Sequence, residues 1–119
     1  MLSVGVDAVE IDRIASVYSR HGERFLARVY TDREAARYRG RINELAARFA
    51  AKEAVSKALG TGLNGIRWRE IEVLPDPRGK PLVFLSGRAA SRAAEIGLSE
   101  FAISITHTNQ LALVFVVAQ

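Results

Sequence analysis

Two carboxylates stand where carboxylates are costly. Asp7 falls inside Leu2 to Val9, a stretch that alternates as a strand does, and Asp is depleted in strands. Glu53 lies in the longest helical pattern of the chain, Ile42 to Leu59, closed by Gly60. At about 100° per residue, Ile42, Leu45, Ala46 and Phe49 share the side of that helix expected to face the core, and the same side runs on to Glu53 and Ser56. A carboxylate placed there loses its hydration unless a cation, a donor or a proton compensates. Lys57, one turn on in the favourable Glu-before-Lys order, is one partner. A metal ion is the other. For Asp7 the alternative reading is a cap on the helix that follows.

If the first strand and the long helix pack together, the two carboxylates converge on one point. Two oxygen ligands of that kind, completed by water and ligand phosphates, suit Mg²⁺, which keeps much of its water shell. The chain has no cysteine, and its histidines lack the spacing of a zinc site. Arg48, Lys52 and Lys57 on the same helix, and Lys80 beside a turn, are cations suited to phosphates. A carboxylate pair, Mg²⁺ and surrounding cations are the general equipment of phosphoryl-group transfer.

The elements that must position these groups can be read in order. In the first strand Leu2, Val4, Val6 and Ala8 form one apolar face. Glu10 to His21 carries Ile11, Ile14, Ala15 and Tyr18 at helical spacing and ends at Gly22. Its outer side holds Arg13 and Arg20, and Arg24 and Arg28 continue that side through a short helical stretch around Phe25 and Leu26. Thr31-Asp32-Arg33-Glu34 is a capping box that opens a helix of two turns ending near Gly40. Thr61 to Gly65 is a flexible loop. Glu70 to Leu74 and Pro81 to Leu85 read as strands joined by Asp76-Pro77-Arg78-Gly79, which suits a type I turn. Ser86 is placed to cap a last helix, Gly87 to Ile96, ended by Gly97. Two strands follow, Phe101 to Thr106 and Leu111 to Val117, the second apolar enough to be central and covered on both faces. Five strands and four helices, with helices gathered between the first and second strands, predict an α+β layer fold.

At 119 residues the chain is expected to form one domain, 1–119. Its 49% hydrophobic and 25% charged residues are ordinary for a globular protein. No apolar run reaches the roughly 20 residues of a membrane span, and the N-terminus lacks the basic region of a signal peptide. Absence of cysteine fits a reducing compartment, so a cytoplasmic protein is expected. A net charge of +4 points to an anionic partner: nucleic acid, a phosphorylated small molecule or an acidic protein. Nucleic acid is disfavoured by the 8% aromatic content, by the lack of a recognised motif, and by an inward acid that repels phosphate in the absence of a metal.

Four pieces then acquire a joint meaning. Gly5-Val6-Asp7, Phe49-Ala50-Ala51-Lys52-Glu53-Ala54-Val55-Ser56-Lys57, Gly79-Lys80-Pro81 and Ser104-Ile105-Thr106-His107-Thr108 occur in the order found in the holo-[acyl-carrier-protein] synthases. The chain resembles these short members of the 4′-phosphopantetheinyl transferase superfamily along essentially its whole length. The resemblance implies a mainly antiparallel sheet packed against a long central helix. It also implies transfer of the 4′-phosphopantetheine group of coenzyme A to a serine of apo-acyl carrier protein, releasing adenosine 3′,5′-bisphosphate, in support of fatty acid biosynthesis. By matching motif, Asp7 and Glu53 would ligate Mg²⁺ and Lys57 would act beside them, with either Lys57 or a metal-bound water as the base. Arg48, Lys57, Lys80, Thr106 and His107 would contact coenzyme A. Because acyl carrier proteins are strongly acidic, Arg13, Arg20, Arg24 and Arg28 become a docking surface. Members of this family are typically homotrimers with active sites between subunits, so a trimer is expected, with neither nucleic acid nor membrane as partner. A carrier-binding protein that kept the fold and lost the chemistry is the alternative, and Asp7, Glu53 and Lys57 all being in place argues against it.

Overall fold

A computed structural model describes residues 1–119. The elements run β1 (Ser3–Glu10), α1 (Ile11–His21), α2 (Glu23–Val29), α3 (Asp32–Tyr38), α4 (Ile42–Ala58), a 3-10 turn (Trp68–Glu70), β2 (Ile71–Pro75), β3 (Pro81–Leu85), α5 (Gly87–Glu95), β4 (Phe101–His107) and β5 (Leu111–Ala118). Strands β1, β5 and β4, in that spatial order, form an antiparallel sheet, and β2 and β3 form a separate hairpin. The long helix α4 packs on β1 and β5, with α1, α3 and β2 against its other sides. The architecture is therefore α+β, with antiparallel strands around a central helix. The short stretch around Phe25 and Leu26 is a helix of its own, α2, so there are five α-helices.

Helix α4 is buried on most of its circumference, because Ala46, Ala47, Ala50, Ala51, Ala54 and Ala58 let neighbouring elements approach closely. This corrects the expected orientation. Leu45 and Ala46 do face the core, but Ile42, Phe49 and Glu53 are only half-buried and Lys57 is exposed, so these four mark the helix's least covered line.

The alternation in β1 is also present but turned the other way. Val4, Val6 and Ala8 face outward, while Ser3, Gly5, Asp7 and Val9 face α4. In the register, Val6 lies opposite Phe115, which lies opposite Ser104, and Asp7 lies opposite Val114, which lies opposite Ile105. Strand β5 is central in its sheet, as expected, yet only one of its faces is covered. Ala112, Val114 and Val116 are buried, whereas Leu111, Leu113 and Phe115 are 39–45% exposed. An apolar face of this extent on one side of a sheet marks an interaction surface.

Local signals behave as their chemistry requires, with one exception. Thr31 and Glu34 form both halves of the capping box that opens α3. Asp76 accepts from the amide of Gly79 through its carbonyl oxygen at 2.9 Å, closing the turn between β2 and β3. Ser86 occupies the N-cap position of α5, but its side chain makes no capping bond. The amide of Arg88, in that helix's first turn, donates instead to the carboxylate of Glu70 at 2.6 Å.

Candidate active site

The site begins with a glycine. Gly5 faces α4, and a Cβ built on it would overlap the carbonyl oxygen of Ala54 and stand 2.9 Å from that carbonyl's carbon and 3.1 Å from the amide nitrogen of Ala58. Strand and helix backbones therefore touch at a point where no other residue fits. Asp7 follows two residues on, on the same strand face, and Glu53 immediately precedes Ala54 on the helix. Backbone contact at Gly5 thus brings the two carboxylates side by side. Asp7 lies three residues before the end of β1 and does not cap α1, whose N-cap is Glu10.

Electrostatics record this proximity. Burial raises the Glu53 carboxyl above its ordinary value of 4.5, and the neighbouring Asp7 charge raises it further, while Lys57 and Arg13 pull it down. Lys57 reaches across to β1 instead of pairing with Glu53. Its Nζ donates to Asp7 Oδ1 at 3.2 Å and to the Val6 carbonyl at 3.0 Å. One ammonium thus serves two like-charged carboxylates incompletely, and no third His, Asp or Glu joins them in a cluster able to hold a metal. Two hard oxygen donors, both half-buried and so partly open to solvent, suit a small divalent cation such as Mg²⁺ that keeps water and takes ligand phosphate for the rest of its shell, so the residues present fit one.

The other sequence-singled cations divide. Lys52, inside the same motif as Glu53, has no exposed side-chain surface; its Nζ donates to Glu34 Oε1 at 2.7 Å, Trp68 O at 3.1 Å and Ile71 O at 2.5 Å. Glu34 in turn accepts from the amides of Thr31 and Val73 at 2.9 and 2.8 Å. Burial pulls the Lys52 pKa down, and Glu34 opposes that shift. Every donor of Lys52 is occupied, so it braces α3, α4 and β2 and cannot meet a phosphate.

Arg48 is buried too, with its guanidinium 4.1 Å from the centre of the Tyr38 ring. It donates to Glu44 at 2.6 Å, Tyr38 Oη at 2.7 Å and Val73 O at 3.3 Å. Even so it forms part of a hollow of about 450 Å³ with Lys80, His107 and Ser104. Three of its five N–H donors are spent inside the chain, leaving two. Thr106 is not on that hollow; it sits opposite Leu113, on the outward face of the sheet. Asp7 and His107 belong to strands on opposite edges of the sheet, with β5 between them, a separation of about 10 Å at ordinary strand spacing. The structure therefore joins Asp7, Glu53 and Lys57 in one place, with Arg13 near Glu53, and Arg48, Lys80 and His107 in another.

Arg13, Arg20, Arg24 and Arg28 are exposed on α1 and α2. Arg24 and Arg28 border a hollow closed by Phe25 and Trp68. Trp68 lies against Phe49, with ring centres 4.6 Å apart, and Phe49 is one turn before Glu53 in α4. Sequence reasoning did not single out Arg67, Arg69 or Arg88, which extend this basic surface beyond Trp68. Each is a lone arginine in a turn or helix start, and nothing in local spacing marks it.

The chain's relatives can be set beside this geometry. A profile of the 4′-phosphopantetheinyl transferase superfamily matches residues 3–114. The holo-[acyl-carrier-protein] synthase of Herpetosiphon aurantiacus is 50% identical, covering 98% of each chain. That of Chloroflexus aurantiacus is 46% identical over 99% of this chain and 98% of its own. Among solved structures, the holo-[acyl-carrier-protein] synthase of Neisseria meningitidis superposes with a TM-score of 0.90 at 35% identity, covering 98% of this chain and 97% of its own. The Helicobacter pylori enzyme, solved in complex with coenzyme A, gives 0.89 at 29% identity, covering 98% and 99%.

Proposed function

The chain belongs to the 4′-phosphopantetheinyl transferase superfamily, and on that premise we propose how its own residues carry out the transfer. The protein is a transferase that moves the 4′-phosphopantetheine group of coenzyme A to a serine of apo-acyl carrier protein. In that reaction the serine oxygen bonds to the phosphorus that carries pantetheine, the pyrophosphate P–O bond breaks, adenosine 3′,5′-bisphosphate leaves, and the serine proton passes to a base.

Asp7 and Glu53 would hold Mg²⁺, which would supply positive charge to offset the charge that builds on the leaving oxygen of the pyrophosphate. The observation that carries this assignment is the backbone contact at Gly5, which sets two carboxylates together with Lys57 paired to Asp7 and Arg13 near Glu53. Lys57 holds Asp7 in place and keeps an exposed ammonium beside the pair, where it contacts the pyrophosphate. Lys80 and His107 contact the phosphates or nucleotide of coenzyme A, in a hollow they share with the Arg48–Glu44 pair. Arg13, Arg20, Arg24 and Arg28 dock the acidic carrier, adding mainly to association rate and orientation.

The protein acts as a homotrimer with active sites between subunits. Supporting this are the uncovered apolar face formed by Val4, Val6, Leu113 and Phe115, and the location of the two groups of site residues at opposite sheet edges. Association covers the face and lets the carboxylates of one copy meet the cationic hollow of the next. No helix is long and apolar enough to cross a membrane.

The test is the intact mass of an apo-acyl carrier protein after incubation with the protein, coenzyme A and Mg²⁺. A gain of one phosphopantetheine, lost with EDTA and in folded Asp7→Asn and Glu53→Gln variants, is expected. Full gain in the variants would remove the carboxylates from the mechanism.

A further inference from the structure

A second hollow, of about 800 Å³, opens on the far side of Trp68 from α1. Four arginines border it: Arg28 of α2, Arg67 and Arg69 around the 3-10 turn, and Arg88 in the first turn of α5. Arg69 pairs with Asp32 at 2.8 Å. The guanidinium groups of Arg28, Arg67 and Arg88 take part in none of the chain's ion pairs. The one carboxylate in the hollow, Glu70, accepts backbone amides from Arg67 and Arg88 at 2.7 and 2.6 Å. Three cations thus line a concave surface with one carboxylate among them, an arrangement that focuses positive potential outward.

Trp68 and Arg28 border both this hollow and the one lined by His21, Arg24 and Phe25, so the two form one trough running from α1 to the start of α5. Its Trp68 lies against Phe49, which is about 6 Å along α4 from Glu53. The hollow with Arg48, Lys80 and His107 is a separate one and supplies its own cations for coenzyme A phosphates. We propose that the trough is an extended docking surface for the acidic carrier, in which Arg67 and Arg88 receive a second acidic segment while Arg13 to Arg28 receive the first. The proposal rests on the transferase reading above. Its grounds are charge complementarity and continuity with the α1–α2 face, through Arg28 and Trp68, which border both hollows.

The test compares wild type with Arg67→Gln/Arg88→Gln and Arg67→Lys/Arg88→Lys. The amides that hold Glu70 stay in both variants, so the start of α5 is preserved, and circular dichroism with thermal melting checks the fold. For the Gln pair, kcat/KM for apo-carrier at low salt should fall about tenfold, with a shallower salt dependence. The KM for coenzyme A should not change, and the Lys pair should retain most of the activity. Unchanged carrier kinetics and salt dependence in the Gln pair would overturn the proposal. So would a matching loss of pyrophosphate binding, measured by calorimetry, which would make the trough a small-anion site. Absence of transfer by the wild type would instead overturn the transferase reading, and this proposal with it.

Discussion

Replacing Gly5 with alanine tests whether strand–helix contact positions Asp7 and Glu53, the pair proposed to bind metal. The added Cβ would meet backbone on α4, with the Ala54 carbonyl carbon at 2.9 Å and the Ala58 nitrogen at 3.1 Å, against ordinary contacts of 3.4–4 Å. The carbonyl oxygen of Ala54 is nearer still. No side chain can turn aside to make room, so the helix itself must retreat by about 1 Å, taking Glu53 away from Asp7. A misplacement of about 1 Å at a reacting centre costs roughly 100-fold in rate, and overpacking costs about 1–3 kcal/mol of stability. Steady-state kinetics at saturating carrier should show kcat down about 100-fold, with the Mg²⁺ concentration for half-maximal rate raised. Urea unfolding should show a loss of about 1–3 kcal/mol. Wild-type kcat, Mg²⁺ dependence and stability in Gly5→Ala would refute this positioning role for Gly5.

Lys52→Met should cost about 3–5 kcal/mol in urea unfolding, because it strands the Glu34 carboxylate in the core, and Glu34→Gln in that background should recover part of the loss. In EDTA, Glu53 binds its proton more tightly when folded than when unfolded, so its contribution is favourable below pH 4.5 and is lost as pH rises through the raised folded value. Glu53→Gln should therefore raise the melting temperature by an increment that grows with pH across that window, read by differential scanning fluorimetry. Phe115→Asp, on the uncovered sheet face, should convert the proposed trimer to monomer in sedimentation velocity and abolish transfer, since the two groups of site residues then stay apart.

Much of this was legible because its chemistry is local. The Thr31–Glu34 capping box, the Asp76–Gly79 turn and the stop at Gly60 each satisfy backbone groups within a few residues. The carboxylates were legible as anomalies. What spacing could not tell was which way a face points. The alternation in β1 defined two faces, but the apolar one faces outward, because Gly5 and Asp7 are needed against α4. The rotation of α4 was obscured for a related reason: with alanines on most of its circumference, burial follows the neighbours' approach and not an apolar stripe. Lys52 and Lys57 look alike in sequence, five residues apart on one helix. One is sealed against Glu34 and the other is exposed beside Asp7, a difference set by partners 18 and 50 residues away.

Asp7 and Glu53 together are proposed to hold the divalent cation that coenzyme A needs. Calorimetric titration of coenzyme A into the protein, with Mg²⁺ and with EDTA, tests it most directly. Binding should be strong only with Mg²⁺ in the wild type, and in folded Asp7→Asn and Glu53→Gln variants Mg²⁺ should no longer strengthen it. Equal strengthening by Mg²⁺ in wild type and both variants would contradict the account.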